Sequence, residues 1–180
     1  MPIVFNDLRT ILYNWAFANT PTGMPVIWYY PNAPRPVVDY VTLNISAVQQ
    51  IGWDFVPGPT ITSGSVTQVG DREFTLTAQA YGGDVMTVLN NLRTSLQKQT
   101  VLDTLRTSGV VFVDWFPINN ITELVDSRFE QRGSMDILFR IADTYGDTLG
   151  TIAQAEITEE LFIADGTQVL DQTVLIPETI

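Results

Sequence analysis

The sequence predicts an α+β fold: a single domain with a mixed, largely antiparallel sheet covered by helices on one side, plus a C-terminal β arm. Three observations predict it. The run Arg72–Gly82 alternates along its length, with Phe74, Leu76, Ala78 and Ala80 on one face and Glu73, Thr75, Thr77 and Gln79 on the other. The same alternation recurs at Tyr40–Ser46, where Val41, Leu43 and Ile45 share a face, and more loosely at Met135–Ile141. Between the second and third of these strands lies a helical segment, Asp84–Lys98, with Val85, Val88, Leu89, Leu92 and Leu96 spaced by three and four.

In chain order, the first element is a helix from about Asn6 to Ala18, capped by Asn6, striped by Leu8, Ile11, Leu12 and Trp15, and ended by Pro21–Gly23. Met24–Tyr30 reads as a short strand whose aromatics belong to a core or interface. Pro31, Pro34 and Pro36 then stiffen a connector into the Tyr40 strand. Trp53–Gly70, rich in Gly, Pro, Thr and Ser, reads as a protruding loop or hairpin tip between two long strands. Its glycines match neither GxxxxGK[ST] nor GxGxxG, so no phosphate loop is expected. After the long helix, a shorter one is expected with Thr100 as cap, Asp103 at the capping-box position and Gly109 as stop. Val110–Val113 is a continuous apolar run, the pattern of a strand buried on both sides.

The segment Asn119–Gly133 alternates charge through Glu123, Asp126, Arg128, Glu130 and Arg132. It suits a solvated turn and strand face, or intersubunit salt bridges in an assembly, where each exposed pair would contribute under about 1 kcal/mol. Glu156, Glu159 and Glu160 lack the spacing and turn glycine of a calcium loop, and read as a solvated strand edge. From Leu161 the chain is poor in charge and rich in β-formers, with an Asp165-Gly166 turn between LFI and TQVLDQTVLI. The organisation expected is therefore a domain over residues 1–158 and an arm or hairpin over 159–180. Such an apolar arm either packs on its own domain or adds a strand to a neighbour's open edge.

Composition narrows the function. The chain has no His, no Cys and a single Lys, Lys98. The common general base, the soft metal ligands and the thiol nucleophile are all missing, so no His-dependent triad can be assembled, and neither an enzyme nor a cofactor is expected. A hydrolase running on carboxylates alone, for example Asp136 with Glu156, stays open and requires a deep pocket around one of them. The net charge of −11 argues against a protein that grips nucleic acid. The cations are nearly all Arg, the residue favoured where planar carboxylates are met at interfaces. The first residues, MPIVFNDLRT, have neither the basic start nor the apolar core of a signal peptide, and no apolar run reaches the roughly 18 residues of a membrane span, so a soluble, cytosolic product is expected.

The segments NAPRPVVDYVTLNI, IGWD at Ile51–Asp54, GDREFTLTAQAYG, the LRTSL of the long helix and DSRFEQRGSMDILFRIAD resemble the phage neck and tail terminator family of contractile-tailed phages, over roughly residues 4–158. The resemblance implies a structural virion protein with no catalytic residues. It implies a ring of six copies that caps the finished tail tube and sheath and meets the neck or connector, with DNA only passing through the lumen. It also implies assembly in the host cytoplasm and no membrane partner. A head-closure or tube-type protein is the alternative within the particle. The residues expected at subunit or partner interfaces are Arg72, Arg128, Glu130 and Arg132, with Leu161, Phe162, Ile163, Val174 and Ile176 of the arm.

Overall fold

The computed structural model describes residues 3–29, 32, 34–55, 65–125, 128–148, 154–162 and 168–177, the last two by their backbone. The elements are α1 (Phe5–Asn19), β1 (Val26–Trp28), β2 (Tyr40–Phe55), β3 (Ser65–Tyr81), α2 (Val85–Ser95), α3 (Gln99–Thr107), β4 (Val110–Trp115), β5 (Asn119–Asn120), β6 (Glu123–Val125), β7 (Arg128–Glu130), β8 (Arg132–Thr148), β9 (Gln154–Phe162) and β10 (Gln168–Pro177). Two compact units result: Met1–Asp54 with Val69–Thr144, and Phe55–Gln68 with Tyr145–Ile180.

The first unit is built on a six-stranded sheet in the order β1-β2-β3-β8-β4, with β5 also paired to β8. β1 runs parallel to β2, with Val26 opposite Val41. β4 and β5 run antiparallel to β8. Side-chain bonds show the sense of the central pairs. Thr77 meets Asp136 while the earlier Glu73 meets the later Arg140, as antiparallel strands require. Ser46 reaches Thr75 while the later Gln49 reaches the earlier Glu73.

Strict alternation in β3 and β8 places Phe74, Leu76, Ala78 and Ala80 with Met135, Ile137 and Phe139 on one face, and all are buried. Val41 and Leu43 of β2 continue that face, and α1 and α2 cover it with Leu8, Leu12, Trp15, Val85, Val88, Leu89 and Leu92. Full burial of each such side chain contributes about 1.5–3 kcal/mol. The two covering helices are cross-linked by a buried bond in which Trp15 Nε1 donates to Ser95 Oγ at 3.0 Å, while the Ser95 hydroxyl donates to the Leu92 carbonyl at 2.6 Å. The helices thus lie over one face of the sheet, as the patterning predicts.

Several boundaries differ from the sequence reading. α1 begins behind Val4 without a side-chain cap, and the expected cap Asn6 lies in its first turn, its carbonyl accepting from Thr10. The helix expected to reach Lys98 ends at Ser95, because Lys98 becomes the N-cap of α3. Thr100 therefore sits inside α3, and Asp103 pairs with Gln99 and Arg106 instead of closing a capping box. β4 is not buried on both sides: Val110 is enclosed, but Val111 and Val113 are exposed, since the helices cover only one face. Within Trp53–Gly70, β2 continues to Phe55 and β3 starts at Ser65, so both ends of that segment are strand; residues 56–64 lie outside the described set.

Asp84 is the cap the sequence suggests, its carboxylate accepting from the Thr87 amide at 3.1 Å and the Thr87 hydroxyl at 2.6 Å. Those bonds, the hydroxyl foremost, hold the Asp84 carboxyl below its ordinary value. The cap's stabilisation is therefore complete above the ordinary carboxylate range and is lost as pH falls through the lowered value. Asp84→Ala is expected to lower the thermal midpoint at neutral pH, with the difference from wild type shrinking in acid; a pH-independent difference would contradict the cap's role.

In the second unit β9 and β10 form an antiparallel hairpin in which Val174 faces Ile157 and Gln172 faces Glu159. The predicted Asp165-Gly166 turn and Ile163 lie outside the described residues.

Candidate assembly surfaces

The sheet face turned away from the helices is polar. Across it, Thr77 Oγ1 donates to Asp136 Oδ1 at 2.6 Å and lies 3.2 Å from Ser46 Oγ. Glu73, only 8% exposed, is held between Gln49 Nε2 at 3.0 Å and Arg140 Nη2 at 3.1 Å. These rungs tie β2, β3 and β8 together and leave no unpaired nucleophile among them. Asp136, the residue considered for acid-base work, spends its carboxylate on Thr77, and the Glu156 side chain lies outside the described set. Among the described residues no three His, Cys, Asp or Glu gather to hold a metal ion.

Where β3 ends and β8 begins, Tyr40 and Tyr81 stack with centroids 4.6 Å apart and planes 4° from parallel. The Arg35 guanidinium lies 5.5 Å and 5.4 Å from the two ring centroids, and Arg132 lies 5.0 Å from that of Tyr81. Glu130 ion-pairs with Arg35, and Arg132 Nη2 donates to Gln79 Oε1 at 3.0 Å, which the Tyr81 hydroxyl also reaches at 2.8 Å. Burial raises the Tyr40 phenol above its ordinary value, against the pull of Arg35. Beside this cluster lies a shallow pocket of about 310 Å³ lined by Arg35, Asp39, Tyr40, Tyr81 and Glu130 among others. Gly82 and Gly83 form its wall at φ 76° and 53°, and the Asp39 carboxylate occupies the space where side chains would stand. Val37, Val38 and Phe129 are exposed around it. The turn is a fixed, mixed aromatic and charged corner with an apolar fringe, the composition of a protein contact surface.

A second charged cluster sits elsewhere on β3. Arg72 donates from Nη1 and Nη2 to the two oxygens of Asp54, each at 2.7 Å, and approaches Asp143 at 3.5 Å. Asp143 also accepts the Ile3 amide at 3.2 Å.

Of the residues expected at interfaces, Glu130 and Arg132 meet at the tyrosine corner, and Arg72 holds Asp54 within its own subunit. Arg128 pairs with Val125 in the β6–β7 hairpin. Leu161 and Phe162 fall in β9, and Val174 and Ile176 in β10. Sequence reasoning missed Arg35, Tyr40 and Tyr81 as a unit. The signal was the Arg between two prolines just before a Tyr-led strand, which reads locally as a stiff connector. Trp53, nearly fully exposed on β2, was absorbed into the loop.

Charge is also divided unevenly. The second unit, residues 55–68 and 145–180, contains Asp147, Glu156, Glu159, Glu160, Asp165, Asp171 and Glu178 but no Lys or Arg. Acidic residues without a cation oppose any phosphate backbone.

The chain belongs to the phage neck terminator protein family, which matches residues 6–161. Its fold is similar to the sheath/tube terminator of an extracellular contractile injection system, PVC, solved by cryo-EM in the extended state. The TM-score is 0.55 at 9% identity, over 91% of this chain and 66% of that one. At that identity the likeness is one of fold, and this chain spans about two thirds of that neighbour's length. No curated protein matches the chain. Family membership makes it a structural component of a phage particle.

Proposed function

We propose that the protein is a tail terminator: a ring, of six copies, that caps the completed tail tube and sheath and joins them to the neck or connector. The observation that carries this reading is the neck terminator family match over residues 6–161, supported by the fold shared with a sheath/tube terminator. The physical device is asymmetry. A ring subunit binds the last ring of a growing polymer through one surface and presents a different surface above, so growth stops without chemistry. The protein works as a structural part of the virion, assembled in the host cytoplasm, with no cofactor and no reaction of its own. DNA passes through the lumen, and the net charge of −11 disfavours adhesion to it. The C-terminal hairpin joins adjacent subunits or the sheath.

Electron microscopy of the purified protein, alone and mixed with tails that lack their neck, tests this. The expected result is single or paired rings, or density at one end of each tail. Long filaments of the protein alone would indicate a tube-type subunit, and monomers that ignore the tails would remove the terminator reading.

A further inference from the structure

β2 is 16 residues long, but β1 covers only Val41–Leu43 of its outer side. The Val41 amide donates to the Pro25 carbonyl and the Leu43 carbonyl accepts from the Tyr29 amide, so the outward-pointing backbone groups are those of the odd-numbered residues here. Ile45 and Ala47 continue that phase, and among the described residues β2 has only β1 and β3 as neighbours. An open strand edge is a template for pairing, and proteins usually blunt it with Lys, Pro, a bulge or an inward charge. From Ile45 to Ile51 there is no Pro, no charge and no glycine; Gly52 then takes a left-handed turn at φ 67° and Asp54 brings the first charge. Val48 and Trp53 stand exposed along the same strand. At the other end of the sheet, β4 carries a register irregularity between Phe112 and Asp114 and places Asp114 on the strand, so that edge is blunted.

We propose that the β2 edge beyond Leu43 accepts an added strand, and that the strand is β10 of a second copy of this chain. β10 pairs only with β9, so its other edge is equally open among the described residues. It spans 10 residues, short enough to lie within the 12 residues of β2 beyond Leu43. Its sequence, QVLDQTVLIP, holds one charge, Asp171, whereas β9 holds Glu156, Glu159 and Glu160 and would desolvate three carboxylates on docking. Among the described residues β2 and β10 are not paired with each other, and the proposal assigns their pairing to neighbouring copies. Edge to edge, each subunit then both gives and receives a strand, a heterologous contact that propagates from copy to copy and makes a ring where the rotation between copies closes. This deepens the terminator reading by naming how neighbours join, and it rests on that reading only for the ring's biological use.

The test has two arms. In the first, a synthetic peptide of residues 168–177 is added to the full chain, and amide hydrogen exchange is followed. The Ile45 and Ala47 amides are expected to slow at least tenfold at saturating peptide, while a scrambled peptide leaves them unchanged. No slowing there, or slowing elsewhere only, overturns the edge. The second arm uses the absence of Cys in the chain. Val48→Cys protein is mixed with Gln172→Cys, Thr173→Cys or Val174→Cys protein and oxidised. A disulfide-linked dimer is expected at one of these three positions well above its neighbours, because the cross-strand geometry is register-specific. Equal yields at all three and with a Lys98→Cys control, or slowing by peptide without a register-specific dimer, overturns the second copy as donor and leaves another protein's strand as occupant. Neither arm needs a tail, so capped tails without edge pairing would sink this inference alone, and edge pairing without capped tails would sink the terminator role alone.

Discussion

Phe139→Ala is expected to destabilise the protein by about 3–5 kcal/mol, the usual cost of emptying a large aromatic site in a core that collapses only partly. Phe139 is wholly buried on β8 at the junction of four elements. Its ring stacks on Phe74 with centroids 5.5 Å apart, and meets Trp15 edge-on at 6.0 Å and Phe112 edge-on at 6.1 Å. The substitution therefore removes apolar burial and three aromatic contacts together, and it loosens α1 and β4 from the sheet at the same point. For a chain of this size the thermal midpoint should fall by roughly 6–20 °C. Phe139→Leu, which keeps much of the volume, should lose less. Urea unfolding of both variants checks this, and a loss below about 1 kcal/mol for the alanine variant would show that the site refills from its neighbours.

The core was legible in the sequence because period-two and period-3.6 patterns record directly which residues leave water. Phe74, Leu76, Ala78 and Ala80, and Val85 through Leu92, all fall where the alternation and the helical spacing put them. What failed did so for local reasons. Val110–Val113 reads as a doubly buried strand because three valines and a phenylalanine show no alternation, yet among the described residues nothing covers Val111 and Val113 on its second face. The break between α2 and α3 was misplaced by a few residues, since Thr100 and Asp103 mimic a capping box while the chain turns at Lys98. The tyrosine corner was illegible because it joins Arg35, Tyr40, Tyr81 and Glu130, residues distant in sequence whose meeting depends on strand order. The interface potential of β2 was equally hidden, because an edge is a property of what does not pair with a strand. Arginine's preference for planar carboxylates is visible inside the subunit: Arg72 and Arg140 take Asp54 and Glu73 of their own chain, and Arg9 and Arg93 lie over Trp28 and Trp115.

Arg72→Met is expected to cost about 2–4 kcal/mol, somewhat less than breaking a fully buried pair, because Asp143 keeps some contact with water. The Arg72 and Asp54 side chains are only 14% and 11% exposed, and Asp143 is 23% exposed. Methionine fills the stem's volume but leaves Asp54 and Asp143 facing the vacated site without their cation. Arg72→Lys should recover only part of the loss, since one ammonium cannot make the two parallel bonds to Asp54. The Ile3 amide, held by Asp143, should exchange faster in the methionine variant. Gly70 offers an internal check: a side chain there would run into Asp54 and Arg72, so Gly70→Ala strikes the same cluster from β3 itself. The two substitutions share one network, so the double variant should lose about as much as the worse single variant instead of their sum. Additive losses would mean that the two sites act separately. A variant that unfolds like wild type but no longer assembles would move Arg72 from holding the subunit together to holding its neighbour.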